Sequence, residues 1–240
     1  MKRLCLFVVL IVFVAGCSRP PQPVGDISRP AAAKPDAQWL ALATPYVVGE
    51  GDSLLTIRVY RAGRLASLGH NHVISSDALQ GSVYVGADYA DTWFELSLPV
   101  AALRVDDAQM RDRYGDEFAA PVPADAIAGT TANMLGADVL DAADWLVVSI
   151  QGKVTSCVAD RCDAELYIEL KGQVTRHQAA VSVAQHADRL VISSEFLLSQ
   201  KALGLEPFSV MMGALSVADE LRFAVDLVAT EVVAGDLRPE

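Results

Sequence analysis

Three things are scarce in this 240-residue chain: positive charge, cysteine and aromatic side chains. Lysine and arginine number 19 against 30 acids, for a net charge of −11. So acidic a balance argues against nucleic-acid binding and against electrostatic docking on anionic lipid, both of which rely on clustered cations. Cysteines number four, at positions 5, 17, 157 and 162, so no dense disulfide framework holds the body together. Aromatics make up 7%, and any interior must be built mainly from Val, Leu, Ile and Ala. Beyond the first 15 residues no apolar run is long enough to cross a bilayer as a helix. A second linker and internal repeats are absent as well.

What is present begins at the N-terminus. Lys2 and Arg3 precede an apolar run from Leu4 to Ala15, which ends in Val14-Ala15-Gly16-Cys17. A basic start, a short apolar stretch and small residues before the cut describe a secretory signal over residues 1–16. The Ala-Gly-Cys step resembles the bacterial lipoprotein signal, and an ordinary signal that happens to contain a cysteine is the alternative. The resemblance implies that Cys17 is the lipid attachment site, that the body faces the periplasm, and that acyl chains hold it on a membrane. Ser18 in place of an aspartate after that cysteine resembles outer-membrane sorting. Loss of two basic residues with the signal takes the charge to −13, so attachment comes from the lipid and not from surface charge. Residues 17–38 carry Pro20, Pro21, Pro23, Pro30 and Pro35 and read as a stiff, extended tether. The folded domain is expected over 39–230, followed by a tail over 231–240.

Alternation dominates the body. Leu55, Ile57 and Val59 face away from Thr56, Arg58 and Tyr60; Phe94, Leu96 and Leu98 do the same against Trp93, Glu95 and Ser97. Leu166, Ile168 and Leu170 repeat the pattern, as do Leu221, Phe223, Val225 and Leu227. Each run predicts an antiparallel strand with one dry face. Further strands are expected near 71–75, 79–86, 145–154, 178–186 and 189–198, separated by turns at Gly81, Gly86, Gly172 and Ala187-Asp188. Between 100 and 143 the pattern changes. Asp106 to Arg111 opens one short helix and Pro123 to Ile127 begins another. The fold class is therefore all-β with two short helices, a closed barrel or a sandwich, and the helical insertion suits a barrel with one end covered.

The segment Ser199-Gln200-Lys201-Ala202-Leu203-Gly204-Leu205-Glu206-Pro207-Phe208-Ser209, followed by Gly213 to Leu221, resembles the YceI-like family of periplasmic barrels. Leu166 to Thr175, Arg111-Asp112 with Phe118, and Leu68-Gly69-His70-Asn71-His72 support the likeness in order and spacing. The resemblance covers about 53–229. It implies an antiparallel eight-stranded lipocalin-like β-barrel whose apolar interior holds a polyisoprenoid. Eight strands enclose a lumen that side chains can just fill or that can hold one slender guest. Burial is worth about 0.8 kcal/mol per CH₂, against an association cost of roughly 4–15 kcal/mol. A long prenyl tail exceeds that cost. The expected ligand-binding residues are His70, His72, Ile168, Leu205, Phe208, Met211, Met212 and Phe223, with the histidine turn or the 204–213 loop at the mouth. The expected guest is an isoprenoid or quinone-like lipid, and no further cofactor is expected. A barrel filled by its own side chains, acting as an envelope interaction module, is the alternative.

Catalytic readings are weaker. Gly51-Asp52-Ser53-Leu54 spells the start of an esterase motif, but Ser53 leads into a strand, and three places before His177 and His186 stand Val174 and Val183 where that chemistry needs an aspartate. His70 and His72 project to one side of an extended segment, yet no third ligand stands at a recognisable spacing. Cys157 and Cys162, with four residues between them in a hairpin, read as a structural disulfide and not a redox pair. Asp106 with Asp107, and Asp116 with Glu117, read as solvated faces or caps. No enzyme activity is expected.

Overall fold

The structure is a computed structural model that describes residues 33–233. Cys17, the signal and most of the tether lie outside the described residues, as does most of the tail. In chain order the elements are α1 (Ala37–Leu42), β1 (Thr44–Val48), β2 (Leu54–Val59), β3 (Arg61–Ala62), β4 (His72–Ser76), β5 (Gln80–Val85), β6 (Thr92–Pro99) and β7 (Arg104–Val105). Then come α2 (Ala108–Asp112), α3 (Ala124–Leu135), β8 (Val147–Val158), β9 (Arg161–Leu170), β10 (Gln173–His186) and β11 (Arg189–Ser199). The chain finishes with β12 (Ser209–Val210), β13 (Leu215–Val217) and β14 (Glu220–Glu231).

Eight strands close an antiparallel barrel in the order β1-β5-β6-β8-β9-β10-β11-β14, with β14 returning to β1 through Tyr46↔Glu231 and Val48↔Ala229. Closure removes the exposed edges that an open sheet would present. The first half of β14 pairs with β2 instead, at Phe223↔Ile57, so β1 and β2 run along one edge as a single interrupted strand. β5 and β4 are their partners and break at the same level. β7 then extends β4.

The inward faces are those the alternation predicts, and every apolar residue assigned inward on β2, β6, β9 and β14 borders the interior. The outward Trp93 is nonetheless buried, with Tyr84 at 5.8 Å and the Lys34 ammonium 5.4 Å above its ring. Asp36 caps α1, and the Trp39 indole donates to Asp91, so wall contacts already begin at Lys34. Gly152 is inward on β8 opposite Phe94. A Cβ there would stand 2.3 Å from the ring, so the missing side chain is what lets the Phe94 ring cross the wall. A register shift between Val154 and Ser156 bends the far end of β8, where Cys157 and Cys162 form the expected disulfide.

Two features were not anticipated. β1 holds Pro45 and ends near Gly49 and Gly51, which hid the strand that closes the barrel. A small sheet, β12-β13-β3, folds the 209–217 hairpin against the start of the histidine turn.

Candidate functional site

The barrel is hollow. A cavity of about 520 Å³ runs through it, walled almost wholly by aliphatic side chains and Phe94, Phe196, Phe208 and Phe223. Inward residues such as Ile57, Leu96, Ile150, Ile168 and Phe223 are only partly buried although they face the axis. They pack against their cross-strand neighbours and border empty space on the side of the axis. That observation contradicts the filled-barrel alternative, and the volume lies within the usual range of ligand pockets, about 300–1,000 Å³.

The strand registers place the turns at Asp88, Cys157–Cys162 and His186–Arg189 at one end of the barrel. The other end collects everything irregular: the histidine turn, α3, the 201–203 turn and the β12–β13 hairpin. Met134, Asn133 and Thr130 of α3 line the cavity there, so the insertion does cover this end. Of the ligand-binding residues expected from the sequence, His70, His72, Ile168, Leu205, Phe208 and Phe223 all line the cavity, and Phe223 stacks on Phe196 at 5.3 Å. Met211 and Met212 do not. They sit at the hairpin tip with positive φ, 52° and 56°, and are exposed to solvent. The turn directs them away from both cavity and core.

The polar chemistry of this end is concentrated in a buried cluster that the sequence reading did not find. The sequence predicts Asp106 and Asp107 as a solvated face or cap. Only Asp107 fills that role, capping α2 by accepting from the Gln109 and Met110 N–H groups. The Asp106 side chain has no solvent exposure. Its Oδ1 accepts from the Val73 N–H at 3.0 Å and from Arg111, and its Oδ2 meets His72 Nδ1 at 2.6 Å. Burial alone would raise its pKa, but the hydrogen bonds from His72 and from the Val73 N–H, aided by Arg111, outweigh that and hold the carboxyl below its ordinary range. Arg111, itself buried, also donates to the carbonyls of Asn71 (2.8 Å), Phe118 (2.7 Å) and Ala120 (2.9 Å). Asn71 donates to the Glu117 carbonyl and accepts from the Arg61 N–H. The only signal in the sequence was Arg111 itself, three residues past Ala108 on a helix too short to bury it by its own periodicity.

The Ser53 hydroxyl is buried and accepts from the Val228 N–H at 3.0 Å, tying the β1–β2 break to β14. The His70 and His72 rings lie 6.3 Å apart, and among the described residues no group of three or more potential metal ligands gathers. No described helix is long and apolar enough to cross a membrane.

No family model matches the sequence, and no curated protein matches it at a significant level. Solved structures do. BcnA from Burkholderia cenocepacia is similar over 76% of this chain and 99% of its own, at 14% identity and a TM-score of 0.55. Two variants of a CJ YceI protein, one holding a monobromobimane guest, align over 67% of this chain and 85% of theirs. Their identities are 6% and 8%, and both TM-scores are 0.49. At these identities the likeness is one of fold.

Proposed function

Because this chain has the YceI-like barrel fold and a hollow apolar interior, we propose that it is a lipid-anchored periplasmic carrier of an isoprenoid or quinone-like lipid. The observation that carries the reading is the continuous apolar cavity. Each five-carbon prenyl unit placed in it is worth about 4 kcal/mol at roughly 0.8 kcal/mol per carbon. A few units therefore offset an association cost of about 4–15 kcal/mol without a polar anchor. The mechanism is passive: aliphatic walls exclude water from the tail, while the polar groups of the mouth meet the head. No step of bond making is required, so the protein acts as a binder and not an enzyme. The Ala-Gly-Cys step supports anchoring through Cys17, on the periplasmic face of the outer membrane by the Ser18 analogy.

Native purification followed by organic extraction and mass spectrometry tests the carrier reading. A stoichiometric prenyl lipid is expected, and extracts without any lipid would overturn it. Cys17→Ala is expected to release the protein from membranes. Retention of that variant through a carbonate wash would contradict acylation.

A further inference from the structure

We infer that His72, its proton held on Nδ1 by Asp106, presents Nε2 as a fixed acceptor that selects apolar guests ending in a hydroxyl group. The inference rests on the carrier reading and specifies the head of the guest, where that reading concerns the tail. Its starting point is Asp106. An ionised carboxylate only accepts hydrogen bonds, and Asp106 is held ionised by Arg111, the Val73 N–H and the ring. The contact of 2.6 Å to Nδ1 therefore needs a proton on that nitrogen. The ring is taken as neutral, with the Arg111 guanidinium as the cation paired to the carboxylate. In the neutral ring the other nitrogen is a bare lone pair.

That nitrogen belongs to a side chain lining the cavity at its polar end. Two of the polar side chains lining the same end have partners of their own. The Tyr60 hydroxyl donates to Glu117 at 3.1 Å, and the Arg61 guanidinium donates to the Gly69 carbonyl. His70 meets His72 edge to face and has no hydrogen bond fixing its tautomer among the described residues. His72 is thus the oriented member of the pair. A prenyl alcohol, or a phenol with a prenyl tail, donates to Nε2. A carbonyl or an ether cannot, and it sets lone pair against lone pair in a dry site. Leaving a buried acceptor unmatched lowers affinity on the order of tenfold.

The test uses the full lipidated chain in detergent, with three probes of equal tail: farnesol, farnesyl methyl ether and farnesal. Calorimetric titration is expected to show farnesol bound about tenfold more tightly than the other two. In His72→Phe the three affinities should converge. Asp106→Asn should invert the order, because its amide donates to Nδ1 and moves the ring proton to Nε2, favouring farnesal. Should that variant fail to fold, nitrogen NMR of wild-type His72 replaces it. An unprotonated Nε2 supports the assignment and a protonated one overturns it. Equal, tight binding of all three probes by the wild type removes the acceptor role and leaves the carrier intact. A preference for farnesol that persists in His72→Phe does the same. If none of the probes binds, both readings fall together.

Discussion

The long wall of the barrel and its mouth are built on opposite principles. Strands β8 to β11 pair with their neighbours in sequence through hairpins, and the backbone ladder with period-two alternation decides everything about them. The mouth joins segments 34 to 46 residues apart by single side chains: His72 to Asp106, Arg111 to Asn71, Asn71 to Glu117. Stability in the wall is therefore spread over many equivalent contacts, while in the mouth it converges on one guanidinium. The comparison predicts that the two regions differ sharply in tolerance to substitution.

The largest effect is expected at Arg111→Ala. It strands the Asp106 carboxylate in the interior and leaves three backbone carbonyls without their donor. Removing one partner of a buried pair costs about 3–5 kcal/mol, read as a lower urea midpoint. Arg111→Lys should recover little, since one ammonium cannot reach four separated acceptors. The cluster also sets an acid limit. The folded pKa of Asp106 lies below its unfolded one, so its contribution is full above the unfolded value of about 3.9 and is lost as pH falls below that. Asp106→Asn should flatten that limb of the pH–stability curve. A mouth variant no worse than a wall variant would break the contrast.

This contrast also sorts what could be read from the sequence. Alternation located the inward faces of β2, β6, β9 and β14 because each strand carries its own pattern within a few residues. The closing strand β1 escaped because Pro45 and its flanking glycines imitate a turn, and only pairing with β14 and β5 makes it a strand. Asp106 and Arg111 escaped for a related reason. Nothing local separates Asp106 from Asp107, and burial of the first is imposed by β4, which its own backbone N–H joins at the Val73 carbonyl. Met211 and Met212 misled in the opposite sense, since apolar residues in a tight turn with positive φ point wherever the turn directs them.

A wall substitution sharpens the contrast from the other side. Ile168→Ala is expected to cost about 2 kcal/mol, the low end for such a truncation, because its side chain already borders a void. Ile168→Asp should instead abolish guest retention and probe the dryness of the lumen, since an unpaired carboxylate there has no partner. Wild-type melting of the aspartate variant would mean a water-filled interior. Breaking the Cys157–Cys162 bridge with paired serines should cost about 2 kcal/mol, the value for a loop of roughly six residues. Guest binding should survive, because the bridge lies at the end of the barrel away from the histidines.

The smallest effect is expected at an exposed ion pair on the outer surface, past the far end of β4 from the mouth. Asp77 follows β4 and Arg104 lies on β7, and the two side chains meet at 3.0 Å with about half their surface in water. Their geometry is as good as that of the buried pair only two residues from Arg104, and the Arg104 guanidinium likewise holds the Asp77 carboxyl below its ordinary range. Solvent supplies the difference. Water screens the attraction and rehydrates either partner when the other is removed, so Asp77→Asn should cost no more than about 1 kcal/mol and less in high salt. Thermal melts of Asp77→Asn and Asp106→Asn, side by side at two ionic strengths, make the comparison direct. Equal losses in the two variants would show that burial is not what gives the Arg111 cluster its weight.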